Sequence, residues 1–297
     1  MNYLIIGHSV VDKIIEKSRI TTKPGGVFYS MIAMLSQIKK QDKLYLCSAI
    51  DNSSKTLFGD YYKLVETNFL SEIEAIPQVD LVIDGAGERK EIYSQLSQNL
   101  LIPINTLSQF DGILINMITG YDITLDQLKQ IRKNFNGPIY FDVHTLSRGV
   151  DENLLRNFRK IRNFGEWASC INILQANESE LLTLSDKADE RSIVDELLSF
   201  HIEQIIITRA ERGATVYFRK NGIIKSIHKE AVEVNFINKV GCGDVFGAVY
   251  FYNYINNKNV FLALEQANLF AGISTTYSDI NEFLNLKIDA DKYIGQK

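Results

Sequence analysis

The residues best placed to do chemistry lie between positions 241 and 244. Two glycines flank a cysteine and an aspartate follows, in the order Gly241, Cys242, Gly243 and Asp244. Glycines leave backbone amides uncovered, and amides at the start of a helix bind anions with the help of the helix dipole. A carboxylate beside such a site would repel the anion, so we expect Asp244 to accept a proton instead. The segment therefore indicates phosphoryl transfer to a hydroxyl group, with Asp244 as the general base.

The same segment also has a purely structural interpretation. A long apolar helix is predicted from Val245 to Ile255, immediately after the aspartate. Asp244 would then only cap that helix, and the two glycines would only form the turn before it. The segment taken alone leaves both interpretations open.

Residues 238–244 resemble the C-terminal signature of the ribokinase (phosphofructokinase-B-like) family of carbohydrate and nucleoside kinases. That signature reads Asp-Thr-Thr-Gly-Ala-Gly-Asp, and this chain has Asn-Lys-Val-Gly-Cys-Gly-Asp. The resemblance extends over essentially the whole chain, with the motifs in the family's order. It implies that Asp244 is the catalytic base, that the amides of Gly241, Cys242 and Gly243 form an anion hole, and that ATP and Mg²⁺ are required.

The N-terminal motifs of the family imply where the phosphate acceptor binds. Gly25 and Gly26 open a helix as the family's double glycine does, and Ser30 lies one turn into that helix. Asp12 follows the first strand and matches the family aspartate that accepts hydrogen bonds from substrate hydroxyls. The resemblance implies that these four residues bind the acceptor. Each also has a simpler structural role, as a turn, a cap or a small helical residue.

Further motifs imply where the donor nucleotide binds. Asn177 and Glu180 match the family's Asn-x-x-Glu, whose glutamate helps to position magnesium through water. The same two residues also spell a capping box, which is a purely structural feature. Thr208 and Gly213 resemble the family's nucleotide-binding turn, and Asn268 lies where the family contacts the adenine.

The chain departs from the family pattern at several of these positions. Asn238 replaces an aspartate near which many relatives bind a monovalent cation, which puts potassium activation in doubt. Ala210 replaces a glycine of the nucleotide turn, so that nucleotide affinity is low or the donor is not ATP. In the segment Asp142–Arg148, His144 replaces a common asparagine. Arg148 either pairs with a phosphate as a planar fork or is a solvated loop arginine.

Composition limits the class of protein and its partners. Of the 297 residues, 45% are hydrophobic and 23% are charged, which is typical of an ordinary globular protein. The net charge of −4 and the lack of basic runs disfavour a nucleic acid or an anionic membrane as partner. Three widely spaced cysteines and no secretion signal or membrane span predict a cytoplasmic location.

The elements that must position these motifs alternate between short apolar strands and amphipathic helices. This alternation predicts a doubly wound α/β fold, a mostly parallel sheet with helices on both faces. We assign residues 1–297 to one ribokinase-like domain, with a small β lid formed by residues 13–24 and 79–103. A hairpin is predicted around Asn221-Gly222. In relatives the lid often forms a dimer contact, so a homodimer through the lid is expected here.

The sequence leaves four functions open. The first is ATP-dependent phosphorylation of a sugar or sugar-like hydroxyl, and the second is the same reaction on a nucleoside. The third is a catalytically silent member of the fold that binds a small molecule, supported by the changes at Asn238 and Ala210. A dinucleotide-dependent dehydrogenase is the fourth, from Gly85-Ala86-Gly87, but Lys90 occupies the position where a third glycine is needed.

Overall fold

The computed structural model describes residues 1–16, 19–83 and 89–295. The strands are β1 (Asn2–Ile6), β2 (Ser9–Glu16), β3 (Arg19–Gly26), β4 (Lys43–Ile50), β5 (Glu66–Glu72), β6 (Gln78–Ile83), β7 (Arg89–Gln95), β8 (Gly112–Asn116), β9 (Ile139–Asp142), β10 (Arg148–Val150), β11 (Arg156–Phe158), β12 (Ile173–Asn177), β13 (Gln204–Thr208), β14 (Ala214–Lys220) and β15 (Ile223–Lys229). The α-helices are α1 (Phe28–Leu35), α2 (Lys55–Tyr62), α3 (Leu125–Asn134), α4 (Phe164–Ala168), α5 (Glu178–Leu181), α6 (Glu190–Leu198), α7 (Cys242–Asn257), α8 (Val260–Ser274) and α9 (Leu286–Gly295). Short 3-10 helices cover Ile104–Gln109, His144–Ser147, Ala210–Arg212 and Ile280–Asn285.

A nine-stranded sheet forms the centre of the molecule, in the order β15-β14-β13-β12-β9-β8-β1-β4-β5. The strands from β13 to β5 run parallel, whereas β14 and β15 add an antiparallel hairpin at one edge. The inner strands β1, β8 and β9 are buried almost throughout. Burial on both faces explains why these strands are apolar at every position rather than at alternate ones.

The direction in which the chain crosses the sheet places the helices on both faces. From β1 to β4 the chain moves one way along the sheet, and from β8 to β9 it moves the other way. Because such crossovers are right-handed, α1 and α3 lie on opposite faces. The long helix α7 packs against α1 and α8, and α3 packs against α4. The predicted doubly wound fold is therefore confirmed.

A second sheet, which we call the lid sheet, consists of β3, β2, β6 and β7 in that order. The pairing of β2 with β6 is parallel, and the other two pairings are antiparallel. Val10, Val79, Leu81, Tyr93 and Ile118 form a small apolar cluster under this sheet, separate from the main core. The lid sheet overlaps both segments that were predicted to form the lid, residues 13–24 and 79–103. It differs in its bounds, since β2 already begins at Ser9 and β7 ends at Gln95.

Two local predictions differ in outcome. The hairpin at Asn221 and Gly222 is confirmed, since both residues have the positive φ (52° and 75°) that a tight type I′ turn needs. Strand β5 was not predicted, because Glu66–Glu72 lies at a sheet edge and has only two apolar residues, Phe69 and Leu70. The glycine motif Gly85-Ala86-Gly87 lies outside the described residues.

Within the described part of the chain, no helix combines the length and the apolar character that crossing a membrane requires.

Candidate active site

Polar side chains gather where the parallel strands end. Asn116 ends β8 and pairs in register with Asp142, the last residue of β9. Asn177 ends β12 and pairs in register with Thr208, the last residue of β13. The carboxyl ends of parallel strands share one edge of the sheet, and ligands bind there in open α/β folds. The sheet therefore brings together four residues that lie up to 92 positions apart in the sequence.

Asp244 faces this edge from the first turn of α7. The helix starts after Gly241, whose φ of 79° lies in the left-handed region and which, as a glycine, has no side chain to cap the first amides. A side chain at Gly241 would also collide with the ring of Tyr29. Because first-turn amides have no partner within a helix, this helix start offers donors to an anion.

Asn116 links the aspartate to the other side of the site. Its amide group donates a hydrogen bond to Asp244 Oδ1 and another, of 3.1 Å, to Ser30 Oγ. Only 1% of Asn116 is exposed, and its Oδ1 is buried without a hydrogen-bond partner among the described residues. The hydrogen bond from Asn116 orients the carboxylate of Asp244. The amide of Asn116 is not itself a base, so Asp244 remains the proton acceptor.

Gln175 holds the start of α7 against the sheet. Its Nε2 donates to Asp142 Oδ2 at 2.9 Å and to the carbonyl oxygen of Gly243 at 3.1 Å. Its Oε1 accepts from the hydroxyl of Tyr140. Gln175 thus holds Gly243, which belongs to the proposed anion hole, in a fixed position relative to Asp142 and Tyr140. Electrostatic catalysis needs such pre-organised groups.

Two cavities meet at Asp244. A large one of about 590 Å³ runs from the strand ends along the start of α7 towards α8. A small one of about 70 Å³ lies between α1, α7 and the lid sheet. Both are lined by Glu91, His144, Val240, Gly241 and Asp244. Asp244 thus lines a cavity on each of two sides.

The cavities separate the residues that the sequence singled out into two groups. Asp12 and Gly26 line the small cavity, and Gly241 and Asp244 line both. The large cavity is lined by the other predicted catalytic and donor-binding residues, namely Cys242, Gly243, Asn177, Glu180, Thr208, Gly213 and Asn268. Gly25 and Ser30 line neither cavity within the described part of the chain. Their assigned roles stay predictions.

Gly25 and Ser30 each contact a residue of the site. The carboxylate of Asp12 lies directly against the Cα of Gly25, so that any side chain there would collide with it. Ser30 is buried and accepts a hydrogen bond from Asn116. Both residues therefore position groups that line the site.

Asn177 and Glu180 form the full capping box of α5. Asn177 Oδ1 accepts from the amide of Glu180 at 2.9 Å, and Glu180 Oε2 accepts from the amide of Asn177 at 2.8 Å. The structural interpretation of this motif is confirmed, and Glu180 lines the large cavity as well. Asn268 donates to the carbonyl oxygen of Lys229 at 3.1 Å, which leaves its own carbonyl oxygen without a recorded hydrogen bond among the described residues.

Three titratable groups of the site have shifted pKa values. Burial, helped by the neighbouring Glu180 and Asp244, raises the pKa of Asp142 well above its usual range. Burial also raises the pKa of Glu180 to about 7, against the opposing influence of the Asn177 amide and of Arg148. Loss of hydration and the cations Arg148 and Arg156 lower the pKa of His144, which is therefore neutral at pH 7. Perturbed groups of this kind are typical of active sites.

Several residues of this site were missed by the sequence analysis. Four of them carry no motif: Asn116, Gln175, Glu91 and Arg156. Only the folded chain brings Gln175, Glu91 and Arg156 to the cavities and Asn116 to Asp244. Asn116 and Gln175 had one usable signal, since a polar residue at or near the end of an apolar strand is unusual in a buried parallel sheet. Arg148, for which two roles were open, lines the large cavity.

Among the described residues, no group of three or more His, Cys, Asp and Glu side chains could hold a metal ion. The site nevertheless suits magnesium, which is often bound by one or two carboxylates together with the phosphates of a substrate. Glu180 and Asp142 supply hard oxygen atoms. Burial is the main cause of the raised pKa of Asp142, and repulsion from Glu180 adds to it; a divalent cation would relieve that repulsion.

Comparison with known proteins agrees with this geometry. Residues 144–285 match the model of the pfkB family of carbohydrate kinases. A deoxyribokinase from Salmonella typhi is 32% identical over 129 residues, which cover 37% of this chain and 40% of that protein. The chain thus matches less than half the length of this curated relative.

The fold matches over nearly the full length. Ribokinase from Thermotoga maritima has a TM-score of 0.76 at 18% identity and covers 99% of both chains. Arabidopsis thaliana ribokinase, solved with ribose and ATP, has a TM-score of 0.75 at 15% identity, with 98% of this chain and 97% of that chain covered. At these identities the likeness concerns the fold. Together with the family match, it confirms the resemblance to the ribokinase family.

Proposed function

We propose that this chain, with its ribokinase fold and its pfkB family match, is an ATP-dependent kinase that phosphorylates a hydroxyl of a sugar or sugar-like small molecule. One observation supports this most directly. Asp244 lies at the junction of a large cavity that could hold a nucleotide and a small cavity that could hold an acceptor. A base at that junction lies where an acceptor hydroxyl would meet a terminal phosphate.

In this mechanism the chain supplies orientation, charge and a proton acceptor. The acceptor lies between Asp12 and Asp244, and Asp244 takes the proton from the hydroxyl as its oxygen attacks the terminal phosphorus. The oxygen between that phosphorus and the rest of the donor leaves with the bonding electrons. The amides of Gly241, Cys242 and Gly243 stabilise the negative charge on the transferred group. Asn116 keeps the base pointed towards the hydroxyl.

The donor would occupy the large cavity. Thr208, Gly213 and Asn268 line this cavity, and in this proposal they contact the nucleoside. Asn177 and Glu180 also line it, and in this proposal they lie near the phosphates. Magnesium, when bound, would offset the charge of the phosphate oxygens, with Glu180 and Asp142 as the residues that hold it.

Residues of the lid sheet line the small cavity, and in this proposal the sheet excludes water during transfer. Exclusion of water matters because a well-oriented water molecule would otherwise receive the phosphoryl group. A homodimer through this sheet stays a prediction, and sedimentation equilibrium measures it directly.

The decisive experiment is a coupled ADP-release assay with saturating Mg²⁺ across sugars, sugar acids and nucleosides. We expect release that depends on a sugar or sugar-like acceptor. A preference for nucleosides would support the nucleoside-kinase alternative, and no turnover with any acceptor would support the catalytically silent alternative. Inorganic pyrophosphate is included as a second donor, because it shares the transferable phosphate but lacks the adenine that Asn268 is proposed to contact.

A further inference from the structure

We propose that Arg148 binds the terminal phosphate of the donor as a planar fork, and that it thereby distinguishes a nucleoside triphosphate from a diphosphate. This inference rests on the proposed function, since it adds a residue to the donor site. Arg148 begins β10, directly after the 3-10 helix His144–Ser147 that follows β9. The sequence left two roles open for it, a phosphate contact and a solvated loop side chain. Its surroundings in the fold favour the phosphate contact.

Few positive charges face the cavity that would hold the donor. Of the described residues that line the large cavity, Arg148 and Lys239 are positively charged at pH 7. Lys239 is already engaged, because its ammonium group pairs with Glu211 and lies 4.4 Å from the centre of the Phe236 ring. His144 also lines the cavity but is neutral at this pH. Among these described residues, Arg148 is therefore the cation that remains for a phosphate.

Arg148 contacts a residue that belongs to both cavities. Its Nη1 is 3.5 Å from the carboxylate of Glu91, and Glu91 lines the large and the small cavity. Its Nη2 is 4.0 Å from Glu180 Oε1. Glu180 and Asp244 both lie close enough to Asp142 to raise its pKa. The guanidinium is therefore near the junction of the cavities, where the terminal phosphate has to lie if Asp244 is to activate the attacking hydroxyl.

The guanidinium of Arg148 is positioned, but its contacts with carboxylates are long. It lies over the ring of Phe158, 4.8 Å from the ring centre, and stacking of this kind leaves the in-plane N–H groups available. Its two carboxylate contacts, of 3.5 and 4.0 Å, exceed the roughly 2.7–2.9 Å of a charge-assisted hydrogen bond. Arg156, by contrast, donates to the same Glu91 at 2.6 Å. The side chain of Arg148 is 23% exposed, against 7% for Arg156, so that a ligand in the large cavity can reach it.

A terminal phosphate suits this side chain better than its present partners do. Two of its oxygens match the parallel N–H groups of the planar guanidinium, which a carboxylate at 4.0 Å does not. Glu180 is a weak competitor, because burial raises its pKa to about 7 and it is only partly charged at neutral pH. Arg148 and the backbone amides of residues 241–243 would then share the charge of the transferred group.

Nucleotide binding measures this contact without turnover. Isothermal titration with Mg²⁺ compares the non-hydrolysable analogue β,γ-imido-ATP with ADP, in the wild type and in R148Q. We expect the dissociation constant of the analogue to rise at least about tenfold in R148Q, while that of ADP changes by less than about threefold. Retained ADP binding and an unchanged circular dichroism spectrum show that the variant is folded. An unchanged constant for the analogue, an equal loss for ADP, or no binding of the analogue to the wild type would overturn the proposal.

Two further variants control for charge and for nonspecific effects. R162Q is the matched control, since Arg162 is exposed and does not belong to the described lining of either cavity. It should bind the analogue like the wild type. R148K keeps the charge but loses the planar fork, and it should bind the analogue as weakly as R148Q. Wild-type affinity in R148K would contradict recognition by the fork.

The variant F158L tests how the guanidinium is positioned. Phe158 is 51% exposed, so that its replacement should leave the fold intact. Loss of the ring should raise the dissociation constant of the analogue about two- to fivefold. An unchanged constant would contradict positioning by the ring.

The proposed function and the role of Arg148 can fail separately. No ADP release with any acceptor, beside a selective loss of analogue binding in R148Q, would count against the kinase proposal alone. ADP release that depends on an acceptor, beside unchanged analogue binding in R148Q, would overturn the role of Arg148 alone.

Discussion

At the scale of single residues, the proposed chemistry depends on the carboxylate of Asp244. A hydrogen bond from Asn116 orients it, and it lies at the start of α7 between the two cavities. The substitution Asp244→Asn keeps the shape and removes the proton acceptor. We expect the turnover number to fall by about 10²–10⁴-fold, the usual contribution of a general base, with little change in nucleotide affinity. Steady-state kinetics and nucleotide titration measure the two quantities.

A matched surface variant controls for nonspecific effects of that substitution. Asp195 is exposed on α6 and pairs only with Arg219 among the described residues, so that Asp195→Asn should keep wild-type turnover. If Asp244→Asn retained turnover near the wild-type value, the base would have to be another residue.

Cys242 permits a second prediction at this scale. Cys47 and Cys170 are buried, whereas Cys242 is partly exposed and lines the large cavity beside the proposed anion hole. A helix start favours the thiolate, which is the form that reacts with alkylating reagents. We expect iodoacetamide to modify Cys242 first and to block activity, and ATP with Mg²⁺ to slow the modification, as followed by mass spectrometry.

The serine variant is the control for this labelling. Cys242→Ser should stay active after iodoacetamide treatment, because serine does not react. Equal rates of modification with and without nucleotide would place Cys242 outside the donor site.

At the scale of elements, a buried pair joins the main sheet to the start of the lid sheet. His8 lies between β1 and β2, and its Nδ1 is 3.0 Å from Asp122 Oδ1. Its Nε2 is 2.9 Å from the carbonyl oxygen of Gln98, which follows β7. Asp122 also accepts from the amides of His8 and Thr119 at 2.8 and 2.9 Å. The pair therefore links the segments that follow β1, β7 and β8.

This pair predicts a pH dependence of stability. Burial by itself would raise the pKa of Asp122, but His8 and the amides of His8 and Thr119 outweigh it and lower the pKa below the ordinary 3.8. Asp122 thus stabilises the fold above pH 3.8, and this contribution is lost as the pH falls through the lower folded value. Asp122→Asn should lower the free energy of unfolding at pH 7 by about 3 kcal/mol, and the difference from the wild type should shrink on acidification.

Urea unfolding at several pH values between neutral and about pH 3 measures this difference. Asp291→Asn is the control, because Asp291 lies exposed on α9 and pairs only with Lys287 among the described residues. A stability difference for Asp122→Asn that stayed constant down to the lowest pH would exclude the linkage.

At the scale of the whole molecule, the proposed acceptor would contact both the lid sheet and helix α7 of the main sheet. Asp12 belongs to β2 of the lid sheet, whereas Asp244 belongs to α7 on the main sheet. An acceptor bound to both should suppress opening of the lid sheet, whose small apolar cluster is separate from the main core. We expect slower amide hydrogen exchange in β2 and β6 when acceptor is present, and no change in β1 and β8. Slowing confined to the first turn of α7 would show that the lid sheet is not engaged.

Much of this fold and part of the site follow from short stretches of sequence. The apolar strands, the capping boxes at Thr124 and Asn177 and the Asn221-Gly222 hairpin are local features, since each depends on residues within a few positions of one another. Edge strand β5 was not predicted, because an exposed strand lacks the continuous apolar run that marks the buried strands.

By itself, the sequence determined that a glycine-rich helix start carries a carboxylate, because the geometry of a turn and a first helical turn is set by neighbouring residues. Only the tertiary structure decided what surrounds that carboxylate. Asn116 reaches Asp244 across 128 positions, and Arg156 reaches Glu91 across 65. Such contacts arise from the order of strands in the sheets, and no local pattern encodes them.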